Sequence, residues 1–163
     1  MSVVGFLRAV RLGRVDVRDA QSEDVPRIAE VFIASFESLT FLPMLHTHDE
    51  HREFVRNLVM HDEVWVAEED ARIVGMAALA GDVLGQFYVH PAFQGRGAGS
   101  ALFETATKRR PNGFTLWVFQ QNDRARTFYD HRGCKLVRVT DGSGNEEKTP
   151  DALYQWQPPE RQA

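Results

Sequence analysis

The sequence predicts an α/β (α+β) fold in which a mixed central β-sheet of about seven strands is flanked by about four helices. Short apolar or alternating segments typical of strands recur between segments whose apolar residues return at helical spacing. Polar connections at 68–72 and 141–150 each join two strand-like segments, which indicates hairpins near both ends of the chain. With 163 residues and 43% hydrophobic content, the chain is long enough to build one sizeable core.

The predicted domain begins with a strand and an amphipathic helix. Residues 15–18 alternate apolar and polar side chains, which predicts a short first strand. Ser22 is expected to cap the helix that follows, with Pro26 tolerated in its first turn. Apolar side chains then recur along one helical face, which we expect to face the core. The residues of this stripe are Val25, Ile28, Ala29, Phe32 and Phe36.

A second helix is predicted from a capping box that begins at Thr47. The hydroxyl of Thr47 and the carboxylate of Glu50 are expected to accept each other's backbone N–H groups. Phe54 and Leu58 are expected to supply the buried face of this helix. Between the two helices, residues 40–46 are too apolar for a solvated linker, and we expect them to form a wall of a pocket.

The middle of the chain predicts three strands and a third helix. Residues 64–67 and 73–79 are apolar runs joined by a polar turn, which is typical of a hairpin. A further strand at 83–89 ends before a proline. The next helix should begin near Gly97, and the Pro-Asn-Gly run at 111–113 should end it.

The remaining elements are three strands and a fourth helix. Strands are predicted at 114–119, 135–140 and 151–157. The fourth helix is predicted from Asn122 to about residue 132, and Gly133 should stop it because glycine readily adopts the left-handed conformation that ends helices.

The predicted organisation is a single domain over residues 15–157. Residues 1–14 contain three arginines and no acidic residue, and we interpret them as an N-terminal extension. Residues 158–163 begin with two prolines, and we interpret them as an exposed C-terminal tail.

Composition narrows the class of partner. The 19 basic and 23 acidic residues give a formal net charge of -4, which argues against a nucleic-acid binder that relies on a basic face. Cys134 is the single cysteine, so no internal disulfide and no cysteine-based zinc or redox motif is available. No apolar stretch is long enough to span a membrane. We therefore expect a cytoplasmic protein that acts on a small molecule or peptide, without metal, membrane or nucleic acid.

A glycine-rich run at residues 94–100 predicts a diphosphate site. Gly95, Gly97 and Gly99 remove side chains between a strand and a helix, where several backbone N–H groups and the helix dipole favour an anion. A Rossmann fingerprint would need glycine where Ser100 stands, and a Walker loop would need a lysine, which does not occur before Lys108. The glycines alone are also compatible with a tight strand-to-helix turn that binds nothing.

The residues around this run resemble a known family. The segment from Phe87 to Leu102 resembles the coenzyme A motif of the GCN5-related N-acetyltransferases (GNAT). The second half agrees, because residues 116–118, followed by Asn122, Ala125, Phe128, Tyr129 and Gly133, resemble the next strand and helix of that family. The resemblance covers about residues 15–156 and implies a GNAT-like acyl-CoA N-acyltransferase fold.

The resemblance implies that acetyl-CoA is the cosubstrate. The glycine-rich run would bind the pyrophosphate mainly through backbone amides, and the preceding strand would bind the pantetheine arm like an added strand. The cofactor-binding residues implied are Phe87, Tyr88, Val89, Gly95, Arg96, Gly97, Ala98, Gly99, Ser100, Asn122, Ala125 and Phe128. For Arg96 a solvated side chain is an alternative, and Asn122 is equally interpretable as a helix N-cap.

The resemblance also implies a mechanism. Tyr129 matches the general acid that protonates the departing thiolate while a neutral amine attacks the thioester directly, although an isolated tyrosine in such a stripe is also typical of an aromatic core. Trp117 stands where some relatives carry a glutamate base. His46, Gln86, Glu146 and Glu147 remain as groups that could hold a water relay, and none has a motif behind it.

Three functions are compatible with these patterns. The first is an N-acetyltransferase acting on a primary amine of a small molecule or peptide. A non-catalytic acyl-CoA-binding module is the second, since a strand carboxylate is missing. A nucleotide-binding domain is the third. The resemblance also allows a homodimer, although no residue marks an interface.

Overall fold

A computed structural model describes residues 14–161, which form a seven-stranded sheet covered by helices on both faces. The strands are β1 (Val15–Asp19), β2 (Glu63–Glu69), β3 (Arg72–Ala80), β4 (Val83–Val89), β5 (Phe114–Phe119), β6 (Lys135–Val139) and β7 (Asp151–Trp156). The helices are α1 (Val25–Ser38), α2 (His48–His61), α3 (Ala98–Arg109) and α4 (Asp123–His131), with short 3-10 turns at Ser22–Asp24 and Pro91–Phe93. The predicted mixed sheet with helices on its faces is confirmed.

The sheet contains one weak connection, between its fourth and fifth strands. The strand order is β1-β2-β3-β4-β5-β7-β6, and every neighbouring pair is antiparallel except β4 and β5. These two parallel strands are paired only at Val83 and Thr115. Beyond that point they diverge, so most of β4 has a partner on one edge only.

Two hydrophobic clusters hold the helices to the sheet. The cluster under α3 and α4 includes Trp65, Leu102 and Tyr154, and it draws on strands from both halves of the sheet. The cluster under α1 and α2 draws on β2 and β3. Trp65 is fully buried, and its Nε1–H donates to the carbonyl oxygen of Leu102 at 3.1 Å. Because truncating such a side chain costs about 3–5 kcal/mol, this contact fixes α3 on β2.

The start of α1 differs from the prediction. Ser22 does not cap the helix but lies in the 3-10 turn before it, and α1 begins at Val25 with Pro26 in its first turn. Asp24 accepts the N–H of Gln21 at 2.7 Å and pairs with Arg18 at 2.7 Å. An ionised carboxylate accepts hydrogen bonds more strongly than a serine hydroxyl, and at this turn the side-chain contacts are made by Asp24 in place of Ser22.

The second helix confirms part of its prediction. The backbone N–H of Glu50 donates to the hydroxyl of Thr47 at 3.2 Å, as expected for the cap. The Glu50 carboxylate does not return this bond and instead contacts His46. Val55 is fully buried, whereas Phe54 is 41% exposed, so the predicted burial of Phe54 is wrong. The helix turns Val55 toward the core and leaves Phe54 beside Phe32, with ring centroids 5.5 Å apart.

The two ends of the chain stand apart from this architecture. The predicted extension at 1–14 lies outside the described residues except for Arg14. Residues 158–161 are exposed and belong to no helix or strand, and 162–163 lie outside the described part. Among the helices within 14–161, none has the length and apolar character needed to cross a membrane.

Candidate functional site

The free edge of β4 is the first component of the site. The N–H of His90 donates to Val74 on β3 at 2.8 Å. Because backbone groups alternate direction along a strand, those of Phe87 and Val89 point away from β3, toward the gap beside β5. The carbonyl oxygen of Val89 accepts there from Ser35 at 3.1 Å and from Gln94 at 3.2 Å. Phe87 thus presents amide groups to a gap that an amide-bearing chain can enter as an extra strand.

The side chains of β4 separate the two faces of this gap. Tyr88 turns toward α1, with its ring centroid 5.3 Å from that of Phe32. Phe87 turns toward α4, where its ring lies 5.5 Å from Phe128 and 6.0 Å from Tyr129. The predicted pantetheine-binding residues therefore lie in the gap itself and on both of its faces.

The glycine-rich run forms an open turn that leads into α3. Gly95 has a φ of +76° and Gly97 a φ of +97°, and both conformations strongly favour glycine. A side chain at Gly97 would meet nothing within 4 Å, so the turn faces open space. Gly99 has another purpose, because a Cβ there would lie 3.2 Å from the ring of Phe128. Gly95 and Gly97 thus allow the turn, and Gly99 allows α3 to approach α4. The first backbone N–H groups of the 12-residue α3 have no partner within the helix and can bind an anion.

The positive charges near this turn differ from those considered in the sequence. Arg96 is partly exposed and pairs with buried Glu69, with Nη2 and Oε1 2.6 Å apart. Arg132 donates to the hydroxyl of Ser100. Arg124 reaches within 3.9 Å of a Cβ placed at Gly95. Arg124 and Arg132 both belong to the α4 region, and no local sequence pattern marks them as neighbours of the glycine turn.

The fourth helix brings its predicted residues to the same region. Asn122 acts as the N-cap of α4, because its Oδ1 accepts the N–H of Ala125 at 3.2 Å. Tyr129 is 5% exposed, and its ring lies among those of Phe87, Phe103 and Tyr154 at 6.0–6.3 Å. Within residues 14–161 its hydroxyl makes no hydrogen bond. Burial raises the pKa of Tyr129 far above its ordinary value, so the phenol keeps its proton at neutral pH.

A cleft of about 870 Å³ opens on the opposite face, beside α1 and α2. Its walls come from α1, α2, β4, β5 and the connection between β6 and β7. Apolar lining residues include Phe32, Phe36, Phe54, Tyr88, Trp117 and Phe119. Acidic lining residues are Glu50, Glu146, Glu147 and Asp151, against the single arginine Arg138.

The segment at 40–46 contributes less to this cleft than predicted. Only His46 among these residues lines it. Leu42 is buried and Met44 is 77% exposed. Phe41 packs edge-on against Phe119 at 6.0 Å, so it supports the cleft from behind. Phe41 and Leu42 therefore pack, whereas Met44 and Leu45 are exposed, and the predicted pocket wall is wrong except for His46.

The candidate relay groups differ in their environments. His46 contacts Glu50 through Nδ1 at 2.7 Å and Glu146 through Nε2 at 2.5 Å. Gln86 and Glu147 also line the cleft. Glu147 is half-buried and makes no ion pair within the described part of the chain. Burial, and then the charge of Glu147, raises the pKa of Tyr88 to about 12.

Two other side chains near the site, Trp117 in the cleft lining and Cys134 beside Tyr129, supply neither a base nor a nucleophile. Trp117 is 43% exposed on β5 and lies under the guanidinium of Arg138 at 5.3 Å. Cys134 is buried, and this burial raises the pKa of its thiol to about 12, so it is a poor nucleophile. Over residues 14–161, histidine, cysteine and acidic side chains form no group of three or more that could hold a metal ion.

Comparison with known proteins identifies relatives of this arrangement. The family model of the acetyltransferase (GNAT) domain matches residues 60–134, which include the free edge of β4, the glycine turn and Tyr129. An uncharacterized N-acetyltransferase of Archaeoglobus fulgidus is 27% identical over 150 residues, covering 81% of this chain and 100% of that protein.

Solved structures show the same fold. The apo form of YjaB from Escherichia coli superimposes with a TM-score of 0.72 at 23% identity, covering 87% of this chain and 97% of that chain. A structure of yncA from Salmonella typhimurium with its cofactor acetyl-CoA has a TM-score of 0.68 at 20% identity, covering 91% and 96% of the two chains. Both likenesses extend over nearly the whole of each relative.

Proposed function

We propose that this chain is a GCN5-related N-acetyltransferase, as its match to the acetyltransferase (GNAT) domain model supports, and that it transfers the acetyl group of acetyl-CoA to a primary amine of a small molecule or peptide. The observation that carries this proposal is the gap between β4 and β5. The gap joins the glycine turn and Tyr129 on one face to the acidic cleft on the other. A donor and an acceptor can therefore meet at the gap from opposite faces of one sheet.

The proposed coenzyme site uses backbone groups more than side chains. Residues 95–100 would hold the pyrophosphate through N–H groups at the start of α3, and Arg124 and Arg132 would add positive charge nearby. The backbone groups of Phe87 and the N–H of Val89 would pair with the amides of pantetheine, since the Val89 carbonyl already accepts from Ser35 and Gln94. Acetyl-CoA supplies the thioester that is consumed. Since the turn is free of side chains at Gly95 and Gly97, the backbone can approach an anion directly.

The proposed chemistry is a direct transfer. The lone pair of the amine forms a C–N bond to the acetyl carbon, the C–S bond breaks, and the hydroxyl of Tyr129 gives its proton to the departing sulfur. A free N–H on β4 would stabilise the negative charge that develops on the carbonyl oxygen. The phenol of Tyr129 carries its proton at neutral pH, as a general acid must, and burial keeps it in that form by raising its pKa. We assign no base to the proton that the amine loses.

The proposed acceptor is an amine that is cationic in solution. The four carboxylates lining the cleft outnumber its positive side chains, Arg138 and a protonated His46, so the cleft attracts a cation. Glu147 is the clearest candidate contact because it is half-buried without an ion-pair partner among residues 14–161. The aromatic lining would contact the carbon body of the acceptor. We place the reaction in the cytoplasm, and a homodimer remains a prediction.

Thiol release from acetyl-CoA in the presence of a broad amine panel tests the proposal. Tyr129→Phe should lower kcat by about 10²–10⁴-fold, since it removes the proton donor, while the Kd of acetyl-CoA stays unchanged. Thermal unfolding should barely change, because the hydroxyl makes no hydrogen bond within the described residues.

Two results would contradict the proposal. Tight binding of acetyl-CoA without turnover of any amine would indicate a non-catalytic acyl-CoA-binding module. This alternative exists because Trp117 stands in place of a strand carboxylate. Calorimetric preference for ATP or NAD over coenzyme A would indicate a nucleotide-binding domain.

A further inference from the structure

A histidine bridges the two sides of the cleft. His46 precedes α2, and its Nδ1 lies 2.7 Å from Oε2 of Glu50 within the first turn of that helix. Its Nε2 lies 2.5 Å from Oε1 of Glu146, a residue 100 positions further along the chain. Glu146 belongs to the connection between β6 and β7, which forms the facing wall of the cleft. The side chain of His46 therefore ties two separate walls together.

The two contacts determine the protonation state of the ring. Ionised carboxylates only accept hydrogen bonds, and a neutral imidazole carries a single N–H. Both nitrogens of His46 face a carboxylate oxygen at hydrogen-bond distance. Both contacts are hydrogen bonds only when the ring carries two protons, so the bridge is complete when His46 is a cation. A ring in this state has no free lone pair with which to accept a proton from the acceptor amine.

We propose that His46 is a positioning residue for the acceptor, a charged clasp that holds the β6–β7 connection against α2 and so shapes the amine-binding side of the cleft. This inference rests on the proposed function. It assigns His46 to acceptor binding and removes it from the groups that could serve as the base. It also leaves Glu147 and Asp151 as the cleft carboxylates that the clasp does not occupy.

Charged neighbours determine how the clasp responds to pH. Glu50 on α2 and Glu146 on the β6–β7 connection raise the pKa of His46. His51 on α2 lies 5.9 Å from the His46 ring, and burial, then the charges of His46 and His48, lower the pKa of His51. Glu37 on α1 bonds His48 at 2.6 Å. The clasp is thus complete below the ordinary histidine pKa of about 6.5 and is lost as the pH rises through the raised pKa of His46.

Steady-state kinetics across pH provide the first test. His46→Gln should raise the KM of the panel amine that the wild-type protein acetylates fastest by about two- to five-fold near pH 6.5, the size expected for exposed ion pairs. Both kcat and the Kd of acetyl-CoA should stay unchanged. The ratio of kcat/KM between wild type and variant should fall toward one at high pH, and this ratio cancels the ionisation of the amine. His46→Arg, which keeps two donors and a permanent charge, should restore the low KM and keep its advantage in kcat/KM over His46→Gln at high pH.

The matched control is His48→Gln. His48 forms a similar exposed contact, with Glu37, but that contact joins α1 to α2 and does not cross the cleft. This variant should leave the acceptor KM unchanged. An equal effect of both glutamine variants, or a wild-type pH profile in His46→Gln, would overturn the proposal.

Hydrogen exchange provides a second test that requires no activity. Amides in segment 141–149 should exchange faster in His46→Gln than in the wild-type protein at pH 6.5, and at the wild-type rate in His48→Gln. If acetyl transfer itself is absent, exchange still decides whether the clasp exists. Unchanged exchange in an active enzyme would refute the clasp and leave the acetyltransferase proposal intact.

Discussion

Replacing Gly95 by alanine tests whether the glycine turn holds the pyrophosphate. Gly95 has a φ of +76°, and a Cβ at this position would meet only the far end of Arg124, at 3.9 Å. The substitution therefore introduces almost no steric clash. It acts through the backbone, because L-residues other than glycine occupy this region with difficulty.

The expected magnitude follows from this conformation. A non-glycine residue in the left-handed region costs about 1–2 kcal/mol. If the turn of Gly95→Ala keeps its shape, the protein is destabilised by that amount and Tm falls by about 2–8 °C for a domain of this size. If the turn relaxes instead, binding must restore it, and the Kd of acetyl-CoA rises by about 5- to 30-fold. The loss of stability and the loss of affinity should together account for the same 1–2 kcal/mol.

Calorimetric titration with acetyl-CoA and thermal unfolding of the same samples measure both quantities. Gly81→Ala is the matched control, because Gly81 has a φ of +57°, meets nothing within 4 Å and precedes the other end of β4. This control should lower Tm without changing the Kd. A Gly95→Ala protein with unchanged stability and unchanged Kd would refute the reasoning, since the strain would then have no effect.

Two further predictions concern the acceptor side and the buried thiol. Gly142→Ala should lower the free energy of unfolding by about 2–4 kcal/mol in urea denaturation, because φ is +84° and a Cβ would lie 2.3 Å from the backbone of Thr149. Gly144→Ala in the same connection meets nothing within 4 Å and should be nearly neutral, so equal losses would contradict this account. Cys134 should react with a thiol reagent at neutral pH at least about 100-fold more slowly in the folded protein than in urea, because burial raises its pKa to about 12. Comparable rates in both states would contradict its burial.

The elements of the fold were largely predictable because each depends on a local pattern. The alternation at 15–18, the apolar strand at 114–119 and the helix stop at Gly133 all appear in the structure. The errors arose where a side-chain contact or the orientation of a helix, and not the local pattern, decided the outcome. Arg18 holds Asp24 in place of the predicted Ser22 cap. Periodicity also could not show that α2 would turn Val55 toward the core and leave Phe54 beside the cleft.

The candidate site also contains parts that the sequence could predict and parts that it could not. The glycine turn and the start of α4 are contiguous segments, so their residues could be named from the sequence, and their roles in binding and catalysis remain predictions. The cleft is assembled from five separate parts of the chain. His46 and Glu146 meet across 100 positions, and no spacing rule predicts such a contact. Arg124 and Arg132 near the glycine turn likewise depend on how α3 packs against α4.

Because β4 and β5 diverge, the sheet consists of two halves, β1 to β4 and β5 to β7, whose strands are paired with each other only at Val83 and Thr115. On one face, the hydrophobic cluster under α3 and α4 includes residues of both halves and packs them together. On the other face, the gap between β4 and β5 opens into the cleft. A molecule with amide groups that lay in the gap between β4 and β5 would connect the two halves of the sheet. Its amides would supply the hydrogen bonds that these strands do not make with each other. Binding of such a molecule would therefore stabilise the sheet as well.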